Sequence, residues 1–315
     1  MGRGIAVQFA YAGHDVVLLD AKPRAPEAFE ALRREALAEI GGALHILGEL
    51  GLFDPARTDA LLARVCVAPD AEAAEVLAGA GVVFEGVPEI LDLKRDMLAR
   101  ASALMAPEAI LASTTSTILV DDLSPSVVGP ERFLNAHWLN PAYIIPLVEV
   151  SPGRGTAPEV VARLNTVLES VGKVPVTCAA SPGYIVPRIQ TLAMNEAARM
   201  VEEGVASAED IDKAVRYGFG FRFGVLGMLE FIDWGGGDIL YHASRYLIGA
   251  LGHERYRAPE VIERNMREGR IGLRTGQGFL DYAGRDLDSY RRQRLGALVE
   301  RLRAEGLAKP PVLPD

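Results

Sequence analysis

Short apolar runs recur through the first 180 residues, each set off from the next by a stretch of helical periodicity. Residues 14–20, 65–67, 81–85, 109–113 and 173–177 have the length and composition of strands, while 26–50, 55–64, 88–103 and 156–171 carry the helical pattern. Parallel strands need a crossover of about a dozen residues between them, and a helix is the usual one. The alternation therefore implies an α/β fold on a doubly wound parallel sheet. It stops near Ala180-Ser181-Pro182-Gly183. From Pro182 to about Glu268 helical periodicity runs on, bent at Gly235-Gly236-Gly237, and a glycine-rich turn follows over residues 272–279. A charged helix closes the chain over residues 286–305, its arginines forming a solvated face. The chain has 315 residues, 49% of them hydrophobic, which supplies core enough for two domains. These are a sheet domain over 1–180 and an all-helical domain over 181–315.

The first twenty residues carry a nucleotide-binding signature. Gly2 and Gly4 open a predicted helix, Gly13 ends it, and a buried strand follows with Asp20 at its carboxyl end. In a Rossmann unit such an acid binds the adenosine ribose hydroxyls, and its charge disfavours the 2′-phosphate of NADP. The Gly2/Asp20 pair thus points to NAD, with Gly2 as the third glycine of the fingerprint. The first two glycines and the strand before them are not in the sequence. That strand is central in the common strand order, so its neighbours are expected to lie unpaired in mid-sheet. A gene product longer than this chain is expected, as is poor nucleotide binding by the chain alone.

Chemistry concentrates in Ala136-His137-Trp138-Leu139-Asn140-Pro141, with Glu149 twelve residues after His137. An apolar run over 132–136 ends at the histidine, Pro141 breaks the strand, and a second run over 145–148 carries the glutamate. Strand, turn and strand would return Glu149 to His137. A carboxylate there orients the imidazole and makes it a usable general base near neutral pH. The competing arrangement is a packed core histidine with a surface glutamate, because perturbed pairs also occur in purely structural roles.

The formal charge is −9, the pI about 5.2 and the mean hydropathy +0.14. An acidic chain is a poor nucleic-acid binder. Cys66 and Cys178 are far apart, form no metal-type pattern, and read as buried free thiols of a reducing compartment. No apolar run reaches the ~18 residues of a membrane helix, and the N-terminus lacks a signal-peptide layout. A cytoplasmic protein with a small-molecule substrate and no nucleic-acid, membrane or metal partner is the expectation.

With these residues in place, the chain resembles the 3-hydroxyacyl-CoA dehydrogenase family from Met1 to about Tyr282. Of the family's Gly-x-Gly-x-Met-Gly loop, Met1-Gly2 remain, and its acid matches Asp20. Its Glu-x-x-x-Glu-x-x-x-x-Lys segment appears as Glu85-Gly86-Val87-Pro88-Glu89-Ile90-Leu91-Asp92-Leu93-Lys94, and its Ser-Asn-Thr-Ser loop as Ser113-Thr114-Thr115-Ser116. His-Phe-x-Asn-Pro appears as His137-Trp138-Leu139-Asn140-Pro141, with the paired glutamate at Glu149. Pro-Gly-Phe-x-x-Asn-Arg appears as Pro182-Gly183-Tyr184-Ile185-Val186-Pro187-Arg188. The closing Lys-Thr-Gly-x-Gly-Phe-x-Asp-Tyr appears as Arg274-Thr275-Gly276-Gln277-Gly278-Phe279-Leu280-Asp281-Tyr282.

The resemblance implies NAD-dependent oxidation of an L-3-hydroxyacyl-CoA to the 3-ketoacyl-CoA. His137 would take the hydroxyl proton, Glu149 would hold its other nitrogen, and Ser116 and Asn140 would bond the reacting oxygen or the carbonyl beside it. Met1, Gly2, Asp20, Val87, Glu89, Lys94 and Ser116 would lie along NAD. Taken singly, Ser116 also fits a helix N-cap and Asn140 a turn former. Glu89 and Lys94 also fit a first-turn acid and a solvated base.

Three departures bear on the substrate. Pro187 replaces the family's asparagine and lacks both an amide and a backbone N–H. The family's Pro-x-Gly-Pro stretch reads Phe221-Arg222-Phe223-Gly224-Val225-Leu226-Gly227, and the Arg222 guanidinium suits a carboxylate. The helix over 26–50 has no lysine to meet CoA phosphates, only Arg33 and Arg34. A free or carboxylated hydroxy acid is therefore the alternative substrate, and a non-catalytic relative lacking the phosphate loop the alternative class. The helical domain has apolar helices and no second sheet to cover, so a symmetric homodimer through it is the default.

Overall fold

The computed structural model describes residues 1–312. Two compact units divide between Met194 and Asn195, inside the helix Val186–Glu202. The first unit holds seven strands: β1 (Val16–Leu19), β2 (Val65–Ala68), β3 (Val82–Glu85), β4 (Ile110–Ser113), β5 (Phe133–Trp138), β6 (Leu147–Pro152) and β7 (Val174–Thr177). β1 and β2 form a parallel pair, and the other five make one sheet in the order β3-β4-β5-β6-β7. Every ladder is parallel except β5–β6. The sheet is thus Rossmann-like but mixed rather than wholly parallel, because residues 139–146 are too few for a crossover and the chain turns straight back.

No ladder joins β1 to β3 among the described residues. The helix Gly2–Tyr11 spans the seam. Its Ile5 packs with Ala112, Leu134 and Val148 of the larger sheet. Its Ala6, Val7 and Ala10 pack with Val65 of β2 and with Ile40 and Leu44 of the helix Pro26–Glu49. β5 lies at the centre, with all six residues buried. Val160, Leu164 and Leu168, spaced four apart on the helix Pro158–Ser170, cover one face; Leu98 of the helix Leu91–Leu104 covers the other with Leu111 and Phe133. Each such leucine buried is worth roughly 1.5–3 kcal/mol, so β5 is held by apolar packing on both faces.

Two sequence expectations need correction. Cys66 is exposed: alternation along β2 turns Val65 and Val67 inward and the thiol outward, while Cys178 is half-buried. Both thiols are free. The helix expected from about residue 88 begins at Leu91, because residues 86–90 form a loop that bends at Glu89 and carries its carboxylate to the loop after β4.

The second unit is helical, with Ala208–Ala214, Met228–Gly235, Gly237–Leu251, Glu260–Arg267 and Leu287–Ala304 as its main helices. Its glycine-rich turn is pinned by buried Asp233, which accepts hydrogen bonds from the N–H groups of Phe279 and Leu280 (2.9 and 2.8 Å) and from the Tyr282 hydroxyl (3.2 Å). A Cβ at Gly278 would collide with that carboxylate, which explains the glycine. No helix among the described residues is long and apolar enough to cross a membrane.

Candidate active site

His137 and Glu149 are direct partners in the antiparallel register of β5 and β6. Imidazole Nδ1 lies 2.8 Å from Glu149 Oε2. The other carboxylate oxygen, Oε1, accepts the N–H groups of Ile185 and Val186, both at 2.8 Å, where the helix Val186–Glu202 begins. Glu149 is wholly buried, yet both its oxygens are bonded, and a helix N-terminus is a favourable place for an anion. With Nδ1–H donating to Glu149, the lone pair on Nε2 is left to accept a proton. Pro187 falls in the first turn of that helix, where a missing N–H breaks no helical bond.

The loop after β4 is organised by Glu89. Its Oε1 accepts from the Ser116 N–H (3.0 Å), the Thr117 N–H and hydroxyl (2.9 and 2.8 Å) and the Thr115 hydroxyl. Burial pushes this carboxyl up, but those donors and the nearby Lys94 charge outweigh it and lower it to about 2. Lys94 is 1% exposed. Its ammonium bonds Glu85 at 2.9 Å and the Val87 carbonyl at 3.1 Å and lies 3.5 Å from Glu89. Glu85 in turn accepts from the Val87 N–H (2.7 Å) and the Ser113 hydroxyl (2.6 Å). Glu89, Lys94 and Val87 therefore brace one another beneath the crevice, and the Lys94 ammonium is spent inside the protein. Ser116 and Asn140 are exposed, with Asn140 in a cis peptide bond to Pro141.

The residues assigned to the cofactor gather at the carboxyl ends of β1, β3 and β4, the crevice where open α/β sheets bind dinucleotides. A Cβ on Gly86 would sit 3.6 Å from the Gly2 nitrogen and 4.0 Å from the Thr114 hydroxyl, so the bare glycine leaves a cradle at the start of the first helix. Asp20 ends β1 beside it and accepts a 2.6 Å hydrogen bond from Arg24 Nε. This donor set and cradle fit NAD: Gly2 and Gly86 would meet the pyrophosphate and Asp20 the ribose.

Two neighbours of these residues were not anticipated from the sequence. Arg24 lies only four residues from Asp20 and was legible as a local ion pair. Tyr184 appeared only as one letter of a motif. In the fold its ring lies parallel to His137, with centroids 4.9 Å apart and planes within 6°. Arg222 is exposed in the second unit, its guanidinium over the Phe231 ring at 5.1 Å and its Nε donating to the Gly218 carbonyl.

Two family models cover nearly all of this architecture. Residues 1–181 match the NAD-binding domain of 3-hydroxyacyl-CoA dehydrogenase, and residues 183–282 match its C-terminal domain. The chain belongs to the 3-hydroxyacyl-CoA dehydrogenase family. It is an oxidoreductase whose cofactor is NAD. The chain is 32% identical over 300 residues to 5-formyl-3-hydroxy-2-methylpyridine 4-carboxylate 5-dehydrogenase of Mesorhizobium japonicum, covering 95% of this chain and 93% of that one. It is also 32% identical to a probable 3-hydroxybutyryl-CoA dehydrogenase of Deinococcus radiodurans, covering 90% and 96%. The crystal structure of a 3-hydroxyacyl-CoA dehydrogenase from Archaeoglobus fulgidus superposes with a TM-score of 0.74 at 32% identity, covering 98% and 96%.

Proposed function

We propose that the chain oxidises an L-3-hydroxyacyl-CoA to the 3-ketoacyl-CoA, with His137 as the general base. The observation that carries this reading is the 2.8 Å His137–Glu149 pair with both carboxylate oxygens bonded. Nε2 takes the hydroxyl proton as the carbon–oxygen double bond forms. Glu149 holds the ring and stabilises the imidazolium, while Ser116 and Asn140 bond the substrate oxygens. NAD, when bound, accepts the hydride from the same carbon. Met1, Gly2, Asp20 and Val87 line its path, and Glu89 and Lys94 shape the loops that flank it. His137→Gln is expected to lower kcat by about 10²–10⁴ with little change in NAD affinity. Near-normal turnover would remove His137 from the mechanism.

A second reading, a hydroxy acid without CoA, has its own support. The helix Pro26–Glu49 carries Glu27, Glu30, Glu35, Glu39 and Glu49 against only Arg33 and Arg34, and Arg33 is already paired with Glu30 at 3.1 Å. Such a surface is a poor match for the phosphates of CoA. The Mesorhizobium relative, similar over nearly its full length, is named for a pyridine carboxylate. The test is kcat/KM for 3-hydroxybutyryl-CoA, a hydroxy-dicarboxylyl-CoA and a free hydroxy acid, in wild type and Arg222→Ala. Preference for the first supports the acyl-CoA reading. A preference for the free hydroxy acid over both CoA esters supports the second, and its loss in Arg222→Ala would assign the carboxylate contact to Arg222. A homodimer through the helical unit accompanies either reading, and sedimentation at twice 33.9 kDa would support it.

A further inference from the structure

Tyr184 is buried and holds φ = +44°, a left-handed conformation that side chains other than glycine seldom adopt. Its hydroxyl donates to the Thr115 carbonyl at 2.8 Å and accepts from Asn135 Nδ2 at 3.1 Å. Asn135 also donates to the Ile118 carbonyl, on the far side of the same loop. The ring meanwhile lies flat on His137. One side chain thus touches the base with its face and the Ser113–Ile118 loop with its edge. The family motif has phenylalanine here, which keeps the face but not the hydroxyl.

We propose that Tyr184 is a positioning residue that couples the base to the cofactor loop, its ring face stabilising the imidazolium and its hydroxyl fixing the Thr115 carbonyl. The inference rests on the reading of His137 as base. Attraction between a π face and the imidazole becomes strong only when the imidazole gains a proton, so it favours the charged state formed during turnover. The hydroxyl contact acts on the ground state of the loop, where Glu89 already bonds the Thr115 hydroxyl and the Ser116 N–H. The two effects are separable by substitution.

The titratable groups around the ring leave the pH response to His137. Glu149 is its bonded partner on β6. Burial, then the Glu149 charge, push the Cys178 thiol up. Burial pushes the Tyr184 hydroxyl up, so it stays protonated, and Glu89, lowered to about 2, stays ionised.

The experiment compares Tyr184→Phe and Tyr184→Leu with wild type. Tyr184→Phe should keep the acidic limb of the kcat/KM profile in place and weaken NADH binding, read by cofactor fluorescence, about 3–10-fold. Tyr184→Leu should weaken NADH equally and also move the acidic limb to lower pH, by roughly half to one and a half units, because the protonated ring has lost its support. In the cofactor-free protein the His137 ring resonance, assigned by its loss in His137→Gln, should titrate at lower pH in Tyr184→Leu alone. An unmoved limb and resonance in Tyr184→Leu, or equal movement in Tyr184→Phe, would overturn the role of the face. Unchanged NADH affinity in Tyr184→Phe would overturn the role of the hydroxyl. If His137→Gln turns over normally, the base assignment itself fails, an outcome distinct from either.

Discussion

Asp20 and Arg24 meet through a 2.6 Å bond at the carboxyl end of β1, where the proposed function puts the adenosine ribose. The carboxylate disfavours a 2′-phosphate, but the guanidinium beside it is the group that binds phosphates best. Asp20→Asn should release Arg24 and raise kcat/KM for NADP relative to NAD by about tenfold or more. Adding Arg24→Ala should remove the gain, whereas an equal gain in the double variant would place the effect elsewhere. At the dyad, Glu149→Gln should lower kcat and move the acidic limb to lower pH, since the lost charge no longer favours the protonated ring. An unchanged profile would remove Glu149 from the base. How much of this was legible depended on sequence distance. His137 and Glu149 are joined by a short hairpin, so strand, turn and strand sufficed to bring them together. Tyr184 lies 47 positions beyond His137 in the chain, and its stacking depends on how the turn at Gly183 packs, which no local pattern specifies.

Among the elements, the segments after β3 and β4 act as one clasp with Glu89 as its pin. The Glu89 carboxyl is lowered from 4.5 to about 2 in the folded chain, so its ionised form favours the fold. That contribution is complete above about pH 4.5 and is lost as pH falls toward 2. Glu89→Gln should therefore be less stable than wild type at pH 6 in urea unfolding, with the difference narrowing below pH 4.5. The side chain is 37% exposed, so solvent screening keeps the effect modest. A difference constant from pH 6 to pH 2.5 would show that the clasp does not depend on its charge. The elements themselves were readable from apolar alternation to within a few residues. What alternation cannot show is why Leu91 rather than Pro88 starts the helix, because that depends on donors 26 to 28 residues away in Thr115, Ser116 and Thr117.

At the scale of the whole chain, the division in the sheet of the first unit governs how it should respond to its cofactor. β1 has one ladder, to β2, and Val17 is 46% exposed; β5 is paired on both sides and buried throughout. Local opening follows the number of ladders and the buried apolar contacts, so amides of β1 and β2 should exchange far faster than those of β4, β5 and β6. The Gly2–Tyr11 helix bridges the two pieces by packing, with Gly2 close to Leu18 on one side and Gly86 on the other. A ligand held by Asp20 on one piece and by the Gly86 cradle on the other joins them a second time. Binding to the native state alone stabilises it by mass action, and here the gain should fall on the weaker piece. Adding NAD should slow exchange in β1 and β2 by a larger factor than in β4–β6, with the effect lost in Asp20→Ala. Uniform protection across both pieces, or protection confined to β4–β6, would mean that the ribose end of the crevice does not engage the cofactor.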